Sequence, residues 1–405
     1  MKWFKRTILI LLLLVIAVQA PFIYRRYRIG QLTNQISHQE KLARDVPSRP
    51  IPGFREYKGV MHVHSSLGGH STGTFEELIS AANANRLDFV VMTEHYDLRY
   101  DTSALTLNGN FGGTLFVNGQ EVDTNDGGRF LLLPGSPESP SFAKMDSRSF
   151  LDKIRSEGRL AINNYPERNR SGVTDFDGME AYSVHINAKR MNKFTAVFDI
   201  LWSFGSYPEA TFSTYFRRNE DYLRRYDAIA REKRLLLTAG ADAHSNKGYY
   251  LIADDEGNRH LGIKIDPYLV VFRLVRMHVL LEEGTPLTRE SLIDALRKGH
   301  AFIGFDVLGD TTGFSFVAEN GSERRIMGDE IAFGQGVKLS AAAPGKARFV
   351  LYRDGEPVNE VAGVTEANFT ADRTGTYRLE VYKNELGEPF EREAPWIMSN
   401  PIYIR

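Results

Sequence analysis

Between Tyr57 and Asp306 the chain alternates continuously apolar runs with amphipathic ones, and several apolar runs end in His, Asp or Glu. GVMHVH (59–64), DFVVMTEH (88–95), TLFVNGQE (114–121), RLAINNYP (159–166), GMEAYSVH (178–185) and LLLTAGADAHS (235–245) have the length and composition of buried strands. TFEELISAANA (74–84), SRSFLDKIRSEG (147–158) and LTRESLIDALRKG (287–299) carry apolar residues at helical spacing. Strands that are apolar on both faces and alternate with helices predict a parallel α/β sheet or barrel. In such barrels chemistry gathers at the C-terminal ends of the strands, where these polar clusters fall.

His62 and His64 stand two apart in a predicted strand, so both side chains leave one face. Neutral imidazoles so placed form half of a divalent-metal site. Asp242 and His244 repeat the spacing at the end of another strand, Glu94 and His95 close a third, Glu121 a fourth, and His70 follows the first. Because the chain has no cysteine, any metal must be held by N and O donors, which admit zinc, manganese or iron.

These stretches, HVHS (62–65), His70, TEH (93–95), GQE (119–121) and GADAHS (240–245), resemble the PHP superfamily of polymerase and histidinol phosphatase domains. The resemblance covers about residues 57–306 and implies a distorted (β/α)7 barrel that hydrolyses phosphate esters with metal-activated hydroxide. HAFIGFD (300–306) followed by a β-rich end also resembles the carbaryl-hydrolase-like branch, which implies carboxyl or carbamate esters. By position the resemblance implies one metal on His62, His64, Glu121 and Asp242, and a second on His70, His95 and His244. Members with three metals have two further histidines. Here no histidine lies between His95 and His185, TNDGGRF (124–130) stands where one is expected, and Tyr165 precedes Pro166 where the other is. A site for two divalent metals is therefore expected, with Tyr165 in the lost ligand's place. Arg129 or Arg168 is expected to supply positive charge towards an anionic substrate. Glu94, beside a ligand, is expected to orient a ligand imidazole.

Gly69-His70-Ser71-Thr72-Gly73 matches the nucleophile elbow of serine hydrolases, but four residues separate it from the strand end at His64. Neither a P-loop nor H-E-x-x-H occurs. Fifty basic against fifty-one acidic residues leave no net field, so nucleic acid is not an expected partner. The expected activity is metal-dependent hydrolysis of a small-molecule or polymer ester, phosphoester first; the alternative is a non-catalytic, metal-bearing binding module.

Residues 1–30 are a separate object. Lys2, Lys5 and Arg6 precede an apolar run from Thr7 to Tyr24, and Arg25, Arg26 and Arg28 follow it. Eighteen helical residues span roughly 27 Å, near the hydrocarbon thickness of about 30 Å. The run predicts a transmembrane anchor with an exported catalytic domain, and Val18-Gln19-Ala20 leaves secretion after signal cleavage as the alternative. Residues 31–56, with Pro47, Pro50 and Pro52, are expected to be a spacer. ATFSTYFRRNEDYLRRYD (210–227) is expected to lay its aromatics on the barrel. From about 312 to 405, alternating runs such as ARFVLYRDG and TYRLEVYKN, broken by Gly, Asp and Asn, predict a small all-β sandwich packed on the barrel.

Overall fold

The computed structural model describes residues 2–44, 51–253, 259–334, 336–383, 386–387, 389–390 and 394–405. One helix, α1, runs from Lys2 to Arg44. Its first half is long and apolar enough to cross a membrane, and its side chains from Ile8 to Ile16 are exposed. The second half corrects the expected spacer. Ile29, Leu32 and Ile36, spaced by three and four, are buried in the main core, so this part is an amphipathic helix docked on the body. Pro47 and Pro50, which suggested a spacer, lie outside the described residues.

β1 (Phe54–Val63) pairs in parallel with β2 (Phe89–Met92), and α2 (Phe75–Ala84) connects them. Thr74 starts α2: its side chain accepts from the Glu77 amide while the Glu77 carboxylate accepts from the Thr74 amide. After Thr93 the chain continues as β3 (Glu94–His95). β4 (Gly109–Phe111) and β5 (Thr114–Val117) follow on the outer side of β2. β6 (Gln120–Asp123), β7 (Arg129–Leu133), β8 (Leu160–Asn163), β9 (Gly178–Ser183) and β10 (Leu236–Gly240) form a second sheet with β3, in the order β10-β9-β8-β7-β6-β3.

The sheets are mixed, not parallel throughout. β7 runs antiparallel to both β6 and β8. The cause is the tight TNDGG turn, where the Thr124 amide bonds the Gly128 carbonyl and Gly127 adopts φ +90°, a hairpin conformation that glycine allows. Beyond β10 the chain returns to β1. The Ala241 amide donates to the Met61 carbonyl, Ala243 to His62 and His64 to Ala243, with a parallel bridge between Val63 and Ala243. That register lays the H-x-H of β1 beside the D-x-H of residues 242–244.

A hairpin of β11 (Gly248–Ala253) and β12 (Arg259–Lys264) precedes β13 (Arg276–Glu282) and β14 (Ala301–Gly304). β13 pairs antiparallel with β1 and with β14. From Ser315 onward the secondary structure of the described residues is all β. These strands join the large sheet through Ile397–Ser399, which pairs antiparallel with β14. Arg378, buried on the strand Gly375–Tyr382, fastens the C-terminal strands to the helix Glu220–Ala230 by a two-pronged bond to Asp227 at 2.7 and 2.8 Å. Tyr222 and Tyr226 on that helix are buried against the body, as the aromatic pattern predicted.

Candidate metal centre

β1 does not deliver its two histidines by simple alternation. The β1–β2 register shifts between Val60 and Val63, and His62 has φ 64°. Asp242 (φ 46°), Tyr165 (φ 52°) and Ser245 (φ 52°) adopt the same left-handed conformation. Non-glycine residues held there cost on the order of 1–3 kcal/mol each, and such strain concentrates where side-chain placement matters.

The result is a buried knot of imidazoles and carboxylates. Glu121 Oε2 lies 3.6 Å from His62 Nε2, 3.4 Å from His64 Nε2 and 3.4 Å from His95 Nε2. Asp242 Oδ1 lies 3.5 Å from His62 Nε2, 3.6 Å from His64 Nε2 and 3.4 Å from His244 Nδ1. One atom from each of His62, His64 and Asp242 falls within 4.8 Å of the others, and so does one from each of His64, His95 and His244. Buried Nε2 of His62, both ring nitrogens of His64 and Oδ1 of Asp242 have no hydrogen-bond partner. Buried polar atoms are ordinarily satisfied, so their shared orphan state fits a cation. Bonds of about 2.1 Å at tetrahedral angles put neighbouring donors about 3.4 Å apart, which matches this spacing.

Electrostatics agree. Burial, then the neighbouring His244, His95 and His62, push the His64 pKa well below the ordinary value. Burial likewise lowers His95. Both are thus neutral and able to offer a lone pair. Burial also works against charge on His62, but Glu180, Asp242 and Glu121 outweigh it and hold its pKa well up. Burial opposes charge on Glu121 and Asp242 too, yet the surrounding histidines, and Arg129 beside Glu121, keep both ionised.

Several expected residues take other roles. His70 is exposed; its ring stands 4.8 Å from that of His95 and belongs to neither converging group, so the second group closes through His64 instead. Glu94 does not orient an imidazole. Its carboxylate accepts from the Ser65 amide (3.0 Å), the Ser65 hydroxyl (2.6 Å) and the Thr106 hydroxyl (3.1 Å), so it fixes the backbone that follows His64. The Tyr165 hydroxyl donates to Asp242 Oδ2, and burial together with Asp242 and Glu121 keeps the phenol protonated. Tyr165 therefore acts as a donor to a carboxylate of the cluster and offers no phenolate. Arg129 Nη1 lies 3.4 Å from Glu121 Oε1, and its Nε bonds Asp123 at 2.5 Å. Arg168 is exposed, its guanidinium 5.1 Å from the Tyr165 ring centre. Ser71 faces no imidazole partner: its hydroxyl donates to the His244 carbonyl and lies 3.1 Å from the Tyr268 hydroxyl, which leaves the serine-nucleophile pattern without a base.

The sequence reading missed three residues. Glu180 Oε2 sits 2.8 Å from His62 Nδ1, so that Nδ1–H donates to it and Nε2 is turned towards the cluster. The signal was a lone carboxylate inside the otherwise apolar strand GMEAYS. Gly240 leaves room for it, since a Cβ there would stand 2.0 Å from Glu180 Oε2. Asn164 donates to Glu121 Oε1 at 2.6 Å, which leaves Oε2 for the histidines. His185 brings its ring within 6.3 Å of His244.

No family model and no curated protein matches the chain. Among solved structures it is similar to one described as the crystal structure of PsfC from Pseudomonas syringae, at 11% identity and a TM-score of 0.38, over 62% of this chain and 94% of that one. At that score the likeness bears on neither fold nor function.

Proposed function

We propose that the protein is a membrane-anchored, two-metal hydrolase of phosphate esters, built on a distorted seven-stranded α/β barrel of the PHP type. The observation that carries this reading is the set of orphan donors on His62, His64 and Asp242, with each of the two Nε2 atoms 3.4–3.6 Å from Asp242 Oδ1 and Glu121 Oε2. The barrel reading is supported by the pairings that lead from β1 through β2, β3 and β6–β10 back to residues 241–243 beside β1.

A divalent cation held by these residues supplies Lewis acidity and a water made acidic near neutral pH. The chain's own groups do the rest. Glu121 and Asp242 provide negative charge, and Glu180 and Asn164 hold His62 and Glu121 in their orientations. Two cations suit the chain better than three, because Glu121 Oε1, the oxygen left to reach another metal, faces Asn164 and the Arg129 guanidinium. Arg129 supplies fixed positive charge at that point, suited to an anionic substrate oxygen. The Tyr165 hydroxyl at the same edge gives its single proton to Asp242 Oδ2 and so holds that carboxylate in place.

The test uses the full chain in detergent, loaded in turn with zinc, manganese and iron, with metal content measured beside turnover of phosphomonoester, phosphodiester and aryl-ester substrates. Two equivalents of metal and phosphoester turnover are expected. His64→Ala should lower the metal content, since His64 belongs to both converging groups and can give its one lone pair to either. A chain that folds but retains no metal would end this reading; metal without turnover would leave a binding module.

A further inference from the structure

The helix Lys193–Asp199 continues as a wider π-helical turn, Ile200–Phe204, and the two are built inside out. Phe194, Val197 and Leu201, spaced i, i+3, i+7 on one face, are 63%, 50% and 69% exposed. The opposite face buries Ala196, Asp199 and Ser203. Asp199 is engaged by Arg25 at 2.6 and 2.9 Å and by the Tyr215 hydroxyl at 2.6 Å. A helix facing water would turn its charge outward and its Phe and Leu inward. This one does the reverse.

The ridge is also continuous with α1. Phe22 stacks on Phe198 at 4.4 Å between ring centres and meets Phe194 edge-on at 6.0 Å. Trp202 Nε1 donates to Gln19 Oε1 at 2.8 Å, and Arg26 bonds the Trp202 carbonyl and, at 3.0 Å, the Ser206 hydroxyl. Gly30 allows close approach on the same side, since a Cβ there would lie 2.8 Å from the Tyr207 hydroxyl. These contacts fix the level of the ridge along α1. Gln19 precedes Tyr24, the end of the apolar run, by five residues, about 7.5 Å of helix. Helices that lie in a membrane interface bury their apolar face roughly 5–10 Å deep, the same level. The exposed Lys189, Arg190 and Lys193 begin at the near end of the ridge, where anionic headgroups would lie.

We infer that Phe194, Val197 and Leu201 form a second membrane contact, inserted in the phospholipid leaflet that α1 leaves at Tyr24. This rests on α1 spanning a bilayer but not on hydrolase activity. The cysteine-free sequence gives a clean test. Nitroxides are attached to Leu12→Cys, Val197→Cys, Leu201→Cys and, as a distant exposed control, Val358→Cys, in the full chain reconstituted in phosphatidylcholine–phosphatidylglycerol vesicles. Collision with oxygen is compared with collision with a water-soluble nickel chelate. The labels at 197 and 201 should favour oxygen, at a depth of roughly 5–10 Å below the phosphates, with Leu12 deeper and Val358 aqueous. A Leu12 label in the bilayer with Leu201 as nickel-accessible as Val358 would overturn the second contact. A Leu12 label in water would overturn the anchor itself. Dipolar broadening between labels at 201 would assign the ridge to a second copy of the chain and overturn the lipid contact.

Discussion

The Nδ1 atom of His62 lies 2.8 Å from Glu180 Oε2, with both side chains buried. Burial pushes the Glu180 carboxyl up and the His62 ring pulls it down; the pair keeps its proton on Nδ1. With Nδ1–H held by Glu180, Nε2 faces Glu121 and Asp242, and a bound cation would take the place of the Nε2 proton. Glu180→Gln keeps the shape and removes the charge that orients the ring. Metal affinity should fall about 10- to 100-fold, measured by competition with a chromogenic chelator. An unchanged affinity would show that Glu180 is only a core polar group.

Gly240→Ala should imitate that loss without altering any candidate ligand. A Cβ 2.0 Å from Glu180 Oε2 must displace the carboxylate from His62. The expected result is weakened metal binding with thermal unfolding shifted by only a few degrees. A large fall in Tm with metal affinity intact would place the strain in the strand instead.

A separate buried network makes stability depend on pH. His278 stands between Glu56, 2.6 Å from Nδ1, and Asp306, 3.3 Å from Nε2, and Arg276 donates to Asp306 at 3.0 Å. Burial disfavours the imidazolium, but Asp306 and Glu56 outweigh it and raise its pKa to about 9. The unfolded value is about 6.5. The contribution of the charged ring is therefore full below about pH 6.5 and is lost as pH rises to about 9, at no more than about 1.4 kcal/mol per pH unit. Denaturant midpoints should show His278→Gln strongly destabilised at pH 6 and closer to the parent protein at pH 9.5. A gap that stays constant with pH would mean His278 is neutral throughout.

The strands of the α/β part were legible because buried strands are apolar on both faces, and the histidines because a period of two at strand ends is uncommon. What was illegible depended on turns and on single polar residues inside apolar runs. The Asp126–Gly127–Gly128 turn makes β7 antiparallel, and it was read only as the place of an absent histidine. Glu180 was hidden in an apolar strand, although a carboxylate there needs a partner. Ile29, Leu32 and Ile36 show a helical stripe that the nearby prolines obscured. The β-rich C-terminal region was foreseen, but its pairing to β14 through residues 397–399 joins two stretches with no local sequence mark.

Arg129 separates substrate classes. Its guanidinium is held by Asp123 and stands 3.4 Å from Glu121 Oε1, at the edge occupied by Tyr165. Removing it should weaken an anionic substrate more than a neutral one. Arg129→Ala should raise KM for a phosphomonoester about tenfold or more and change KM for a neutral aryl ester little. Arg168→Ala, at an exposed residue, should have a smaller effect. Equal effects of Arg129→Ala on both substrates would assign the residue to holding Glu121.

The candidate centre and the apolar ridge are neighbours in the chain. Lys189 lies 5.9 Å from the Tyr165 ring centre, and Lys193, where the ridge helix begins, follows four residues later, within about 14 Å of extended chain. If the ridge rests in the leaflet, the centre opens close to the headgroups, and an ester carried by a bilayer amphiphile reaches it without leaving the membrane. The paired substitution Phe194→Ser and Leu201→Ser removes the ridge without touching the centre. It should lower turnover of a long-chain phosphoester presented in vesicles several-fold and leave a short-chain, water-soluble counterpart unchanged. Equal rates on the vesicle substrate before and after substitution would mean the ridge does not help deliver the substrate to the centre.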